Sequence, residues 1–150
     1  MYSKAMCSVA AISCLLLSTN VYGSTMELNA LRAVPRFGND SCWADTGARL
    51  KNICSTTQLI SFMPDEYLFG QTVKATIGVV SAFATVKCQD VYLTSKLDNY
   101  WTLGPFNSNG LPSAGISFVS LAPWLVKGGV YYVDCQVPPG AQITHALFIW

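Results

Sequence analysis

Cysteines, a single histidine and a few acidic and aromatic clusters are the residues of this chain with chemistry to offer. Cys7 and Cys14 fall in an apolar leader, which leaves Cys42, Cys54, Cys88 and Cys135 beyond it. Their spacings fit no CxxC pattern of the kind that builds a zinc site, so no metal is expected. An even number of cysteines in an exported chain reads as two disulfides, and four cysteines allow three pairings. The preferred pairing is Cys42–Cys54, which closes a short loop from Trp43 to Ile53, with Cys88–Cys135 tying two strand-like segments together. Cysteines paired in this way are not available as nucleophiles.

His145 is the only histidine. General acid–base work needs a partner and a pocket, and no GxSxG-type nucleophile motif stands near it, so it reads as a strand histidine. Among the acids, Asp65 and Glu66 follow Pro64 and read as a solvated turn. Asp90, Asp98 and Asp134 could converge as a carboxylate pair of the glycosidase type, which demands a defined separation in space. The aromatic residues form the more suggestive set. Tyr100 and Trp101 follow Asp98 and Asn99 in a polar stretch, Trp124 follows Pro123, and Trp43 sits between the first two paired cysteines. Rings on loops beside Asn and Asp suit a sugar face, through stacking on apolar C–H groups plus hydrogen bonds. The competing role is to cap the ends of a core, with the ring buried and one edge wet.

The leader decides how the cysteines are read. Lys4 precedes the apolar run Val9–Leu17, and Val21-Tyr22-Gly23 places modest or small side chains before Ser24. This is the pattern of a secretory signal peptide over residues 1–23. Its apolar run is well short of the roughly 20 residues a spanning helix needs. Cleavage would leave Ser24–Trp150 as one domain in a secreted or periplasmic protein.

Charge is sparse. Once Lys4 is removed, eight Lys and Arg face eight Asp and Glu, with no run of one sign. Nucleic-acid binding calls for a concentrated basic face, and none is visible, so no nucleic-acid partner is expected. No phosphate-binding glycine loop is present either, and no cofactor is expected.

Short β-branched and aromatic runs recur at about ten-residue spacing with turn residues between them. They predict strands over Glu27–Ala33, Leu50–Cys54, Gln58–Phe62, Thr72–Val80, Phe83–Leu93, Tyr100–Leu103, Ala114–Leu121, Gly129–Val137 and Ile143–Trp150. Turns are expected at Pro138-Pro139-Gly140, Lys127-Gly128-Gly129 and Asn107-Ser108-Asn109-Gly110, and Pro123 should end a strand or hold it to an edge. Alternation from Val130 to Cys135 turns Tyr131, Val133 and Cys135 inward and Tyr132 and Asp134 outward to solvent. Ala84, Val86 and Cys88 should face inward on their own strand.

The order of features also resembles a known type. Cys42, Asn52-Ile53-Cys54-Ser55-Thr56, Thr72-Val73-Lys74-Ala75, Cys88, Pro123, Gly128-Gly129-Val130-Tyr131, Cys135 and Pro138-Pro139-Gly140 follow one another. This is similar to small secreted bacterial proteins that carry a signal peptide and a two-disulfide β domain. The resemblance implies a β-sandwich and export, and it carries over no catalytic residues.

The expectation is therefore an all-β, antiparallel sandwich, immunoglobulin-like or jelly-roll-like, held by two disulfides. Its function is read as non-enzymatic binding of a glycan or a protein ligand, without stable membrane insertion. The expected site is Tyr100, Trp101 and Trp124, with Asp98 and Asn99 as polar partners. A small secreted hydrolase is the alternative. A small outer-membrane β-barrel is a third reading, drawn from the terminal aromatic Trp150.

Overall fold

The computed structural model describes residues 23–36, 40–65, 68–93, 101–110, 113–127 and 129–150, with backbone only at Leu93 and Trp101. The described strands are β1 (Thr25–Asn29), β2 (Val34–Pro35), β3 (Trp43–Asp45), β4 (Leu50–Asn52), β5 (Gln58–Phe62), β6 (Thr72–Ser81) and β7 (Lys87–Leu93). They continue with β8 (Trp101–Leu103), β9 (Asn107–Ser108), β10 (Ser113–Ser120), β11 (Trp124–Leu125), β12 (Val130–Val137) and β13 (Gln142–Ile149). Each of the nine expected strands is found. The four that sequence reading passed over, β2, β3, β9 and β11, have two or three residues each, too short for alternation to register.

The strands form two antiparallel sheets. One runs β10-β6-β13-β4-β3, with β1 also beside β13 and β11 also beside β6. The other runs β2-β5-β12-β7-β8, with β9 also beside β7. Their apolar faces meet in one core that includes Ile60, Phe62, Val73, Ile77, Val133 and Phe148, all fully buried. Two sheets packed over a shared dry interior make a sandwich, in contrast to a closed barrel that turns its apolar side to lipid. Among the described residues no helix is long and apolar enough to cross a membrane.

Local chemistry explains where strands stop. The strand expected over Glu27–Ala33 ends at Asn29, whose side-chain oxygen accepts from the Leu31 amide at 3.0 Å and caps a 3-10 turn over Ala30–Arg32. Pro123 does both things expected of it. β10 ends at Ser120, and past the proline β11 resumes along the same edge of β6, Trp124 opposite Val73. Gly140 takes a left-handed φ of 77° in the Pro138–Ala141 turn, where the Ala141 amide donates to the Pro138 carbonyl at 3.1 Å. The expected strand Phe83–Leu93 starts only at Lys87, leaving Phe83 on a loop.

Both disulfides take the preferred pairing. Cys42–Cys54 flanks the β3–β4 hairpin, and Cys88–Cys135 joins directly opposed residues of β7 and β12, Cα atoms 4.1 Å apart. Such a separation belongs to a pair that does not exchange backbone hydrogen bonds, where side chains come closest. Cys88 and Cys135 are fully buried, as expected of inward positions.

β13 carries a bulge. Its pairing with β6 shifts between Ile143 and His145, so Ile143, Ala146 and Phe148 all face inward although their spacing breaks strict alternation. The displaced pair, Thr144 and His145, lies against Gly78 of β6. A Cβ there would sit 2.5 Å from His145 Cε1 and closer still to Thr144 Oγ1.

Two outcomes follow from these contacts. Replacing Cys88 and Cys135 together by Ala should cost about 4 kcal/mol by loop-closure entropy, and the Cys42/Cys54 pair about 3 kcal/mol, read from urea midpoints. Gly78→Ala should cost about 1–3 kcal/mol through overpacking. Part of that loss should return when His145→Ala is added, since removing the ring opens room over the new methyl group.

Candidate functional site

The register places the start of β8 and Trp124 at one end of the sandwich. β7 ends at Leu93, which pairs with both Val130 and Trp101, so the end of β7 and the start of β8 lie beside the start of β12. β11 and the start of β6 lie at the same end. Asp98, Asn99 and Tyr100 lie outside the described residues. The Trp101 backbone opens the edge strand β8. Trp124 belongs to the other sheet, is half-buried, and packs against the core opposite Val73. Trp43 likewise packs on the core, so these two rings serve partly as caps.

A cleft opens at this end between the two sheets. It holds about 260 Å³ and is lined by Met63, Pro64, Asp65, Leu68, Val126, Gly129, Val130 and Tyr131. Two backbone bonds brace its rim: the Gly70 amide donates to the Val126 carbonyl at 2.7 Å, and the Val126 amide to the Gln71 carbonyl at 2.9 Å. Asp65 forms an exposed ion pair with Arg32. Gly129 turns with φ of 86°, a conformation that favours glycine and lets the chain enter β12 at the cleft wall.

Sequence reading missed the polar pair behind this wall. Tyr131 is buried and its hydroxyl donates to Asp90 Oδ1 at 2.5 Å. Burial raises the Asp90 carboxyl above its ordinary value, and the Tyr131 bond offsets part of that rise. Burial, with the neighbouring carboxylate, pushes the Tyr131 hydroxyl far upward, so it remains a donor. The signal was present in the alternation. Asp90 stands two residues after inward Cys88, so it faces the core, and a buried acid needs a donor.

The opposite face of the same sheet holds a second polar cluster. Tyr132 and Asp134, expected in solvent, are buried at 4% and 6% exposure. They do point away from the core, but Arg36 covers them. Its Nη2 lies 2.9 Å from both Asp134 Oδ2 and the Tyr132 hydroxyl, and its Cζ sits 5.1 Å over the Tyr132 ring. The Ser61 hydroxyl donates to the other carboxylate oxygen of Asp134. Burying a carboxylate is costly unless it is paired and hydrogen-bonded, and Arg36 and Ser61 meet that requirement. Burial and the Asp134 charge raise the Tyr132 hydroxyl, against the lowering effect of Arg36.

Asp90 and Asp134 therefore lie on opposite faces of the sheet, Asp90 opposite Val133 and Asp134 opposite Gln89. They do not form a carboxylate pair. His145 is half-buried, 2.8 Å from Thr144 Oγ1 through Nδ1 and edge-on to Phe118. That is the setting of a strand histidine on the outer face of the other sheet. Among the described residues no three His, Cys, Asp or Glu gather as a metal site would require.

No protein-family model and no curated protein matches the chain. Solved structures do. The C-terminal CBM6 carbohydrate-binding module of a marine laminarinase from Zobellia galactanivorans aligns over 85% of this chain and all of its own, with TM-score 0.52 and 14% identity. The CBM22-1 and GH10 modules of endo-1,4-β-D-xylanase 10B from Clostridium thermocellum, complexed with xylohexaose, align over 86% of this chain and 28% of theirs, with TM-score 0.58 and 14% identity. What these structures share with the chain is the β-sandwich fold.

The Asp90 pair gives a pH prediction. Because its folded value is raised, the native state binds more protons than the unfolded chain above about pH 4, and stability falls as pH rises through that window. Asp90→Asn keeps an acceptor for Tyr131 and removes the ionisation. In urea titrations it should be at least as stable as the parent at pH 7, with its advantage shrinking toward pH 4. A disadvantage that grows with pH would contradict this account.

Proposed function

We propose that this chain is an exported, non-enzymatic carbohydrate-binding domain whose ligand lies at the cleft end of the sandwich. The observation that carries the reading is topological. The end of β7, the start of β8 at Trp101, Trp124 in β11 and the braced cleft share one end. In this reading Trp101, with Tyr100 and the exposed edge of Trp124, offers ring surface for stacking on a sugar, and Asp98 and Asn99 hydrogen-bond its hydroxyls. Loops on a rigid sandwich are where binding residues concentrate.

Two supports come from outside the site. The similar folds quoted above include carbohydrate-binding modules of enzymes named for polysaccharide substrates. The two disulfides suit an oxidising compartment, in keeping with a leader removed before Ser24 and a mature domain over 24–150. The non-enzymatic reading rests on the opposed facing of Asp90 and Asp134 and on the bulge setting of His145.

A glycan array probed with the disulfide-bonded chain tests this, with a reduced and alkylated sample as control. Binding should be lost on reduction and weakened about tenfold in Trp101→Ala, the effect of removing one stacking ring. A blank array from folded protein would redirect the search to a protein ligand, beginning with capture from a cell envelope.

A further inference from the structure

The walls of the cleft suit something other than a sugar ring. Its floor is made by Leu68, Val126 and Tyr131, all buried, and its rim by Met63 and Val130, at 50% and 41% exposure. The hydrogen-bonding groups described on these walls are already engaged. The Val126 amide and carbonyl bond to Gln71 and Gly70, and the Leu68 carbonyl accepts from the Gln71 amide at 3.0 Å. The Tyr131 hydroxyl donates to buried Asp90. Among the described lining residues Asp65 alone is charged, and Arg32 pairs with it.

A buried water needs two to four polar partners. A sugar ring pressed against this floor would leave its hydroxyls unpaired, and each unpaired polar group is costly. An alkyl chain needs no partner and is favoured by leaving water. The volume sets a length. The cleft holds about 260 Å³, room for about nine groups that each take a water molecule's share of roughly 30 Å³, and a methylene is of similar size. Trp124 stands two residues before Val126, about 7 Å along an extended chain. A ring stacked at Trp124 and a chain in the cleft therefore fit one small molecule.

We propose that the glycan ligand inferred above carries a short alkyl or acyl chain, and that this chain occupies the cleft; the assignment rests on that glycan reading. The sugar stacks at Trp124, and the chain enters between the sheets, past Met63 and Val130, to Leu68 and Val126. Because Arg32 balances Asp65, the mouth suits a neutral ether or ester linkage to the glycan over a free carboxylate.

Calorimetric titration of the full, disulfide-bonded chain with alkyl β-D-glucosides from butyl to dodecyl, each below its micelle-forming concentration, tests this. Affinity should rise about fourfold per added methylene and level off at about nine carbons, with the negative heat-capacity change of apolar burial. Met63→Glu, which puts a charge on the rim, should weaken the octyl glucoside about tenfold. Val130→Trp, which narrows the cleft, should bring the plateau to a shorter chain. Phe83 and Ile53 are 96% and 58% exposed at the opposite end, on loops braced by Ser81 and Asn52, and control for adsorption. Phe83→Ser with Ile53→Ser should leave the series unchanged, and the apolar leader is common to every variant. An affinity that is flat with chain length overturns the proposal. So does one that climbs through dodecyl equally in wild type and Met63→Glu. A glycan array that binds beside a flat series removes the chain and keeps the glycan reading. A blank array, beside a series reproduced with alkyl tetraethylene glycol ethers, overturns the assignment to a glycan.

Discussion

The Cys88–Cys135 bridge is the constraint on which the six-stranded sheet depends. It joins residues that face each other directly across β7 and β12, so it sets both register and facing. A slip of one residue would turn every side chain of β12 to the other side. Tyr132 and Asp134 would then enter the core, and Tyr131 and Val133 would leave it. With the bridge in place Tyr131 meets Asp90 inside, and Asp134 meets Arg36 outside. Two polar clusters on the two faces of one sheet thus follow from a single covalent register.

The companion sheet solves a different problem by different means. β13 is shared on one side by β4 and β1, and its bulge stands where one partner gives way to the other. The bulge lets Ile143 and Phe148 both reach the core. It is tolerated because β6 offers Gly78 at that row, with Thr144 and His145 occupying the space where a side chain would be. The only histidine is accounted for by this packing.

The two ends of the sandwich differ in exposed surface. Asp65 lines the cleft and pairs with Arg32, and Trp124 lies at the same end. At the other end, braced loops hold Phe83 and Ile53 in water.

Much of this was legible in sequence. Strand positions, inward facing of Tyr131, Val133 and Cys135, and the preferred cysteine pairing all follow from period two and turn residues, which are local properties. The partners of polar residues were not legible, because they come from far along the chain. Asp134 looked solvent-exposed since nothing near it in sequence announces Arg36, which lies 98 positions away. Phe83 read as strand because an apolar residue in an apolar run carries no sign that the ladder begins four residues later. The sequence by itself determined an all-β chain with two bridges and an apolar leader, because alternation, turns and cysteine count act over short range. Only the tertiary structure decided which loops share an end, which carboxylates are buried, and which apolar residues stay outside. Those outcomes depend on strand order and on contacts between segments that no local pattern encodes.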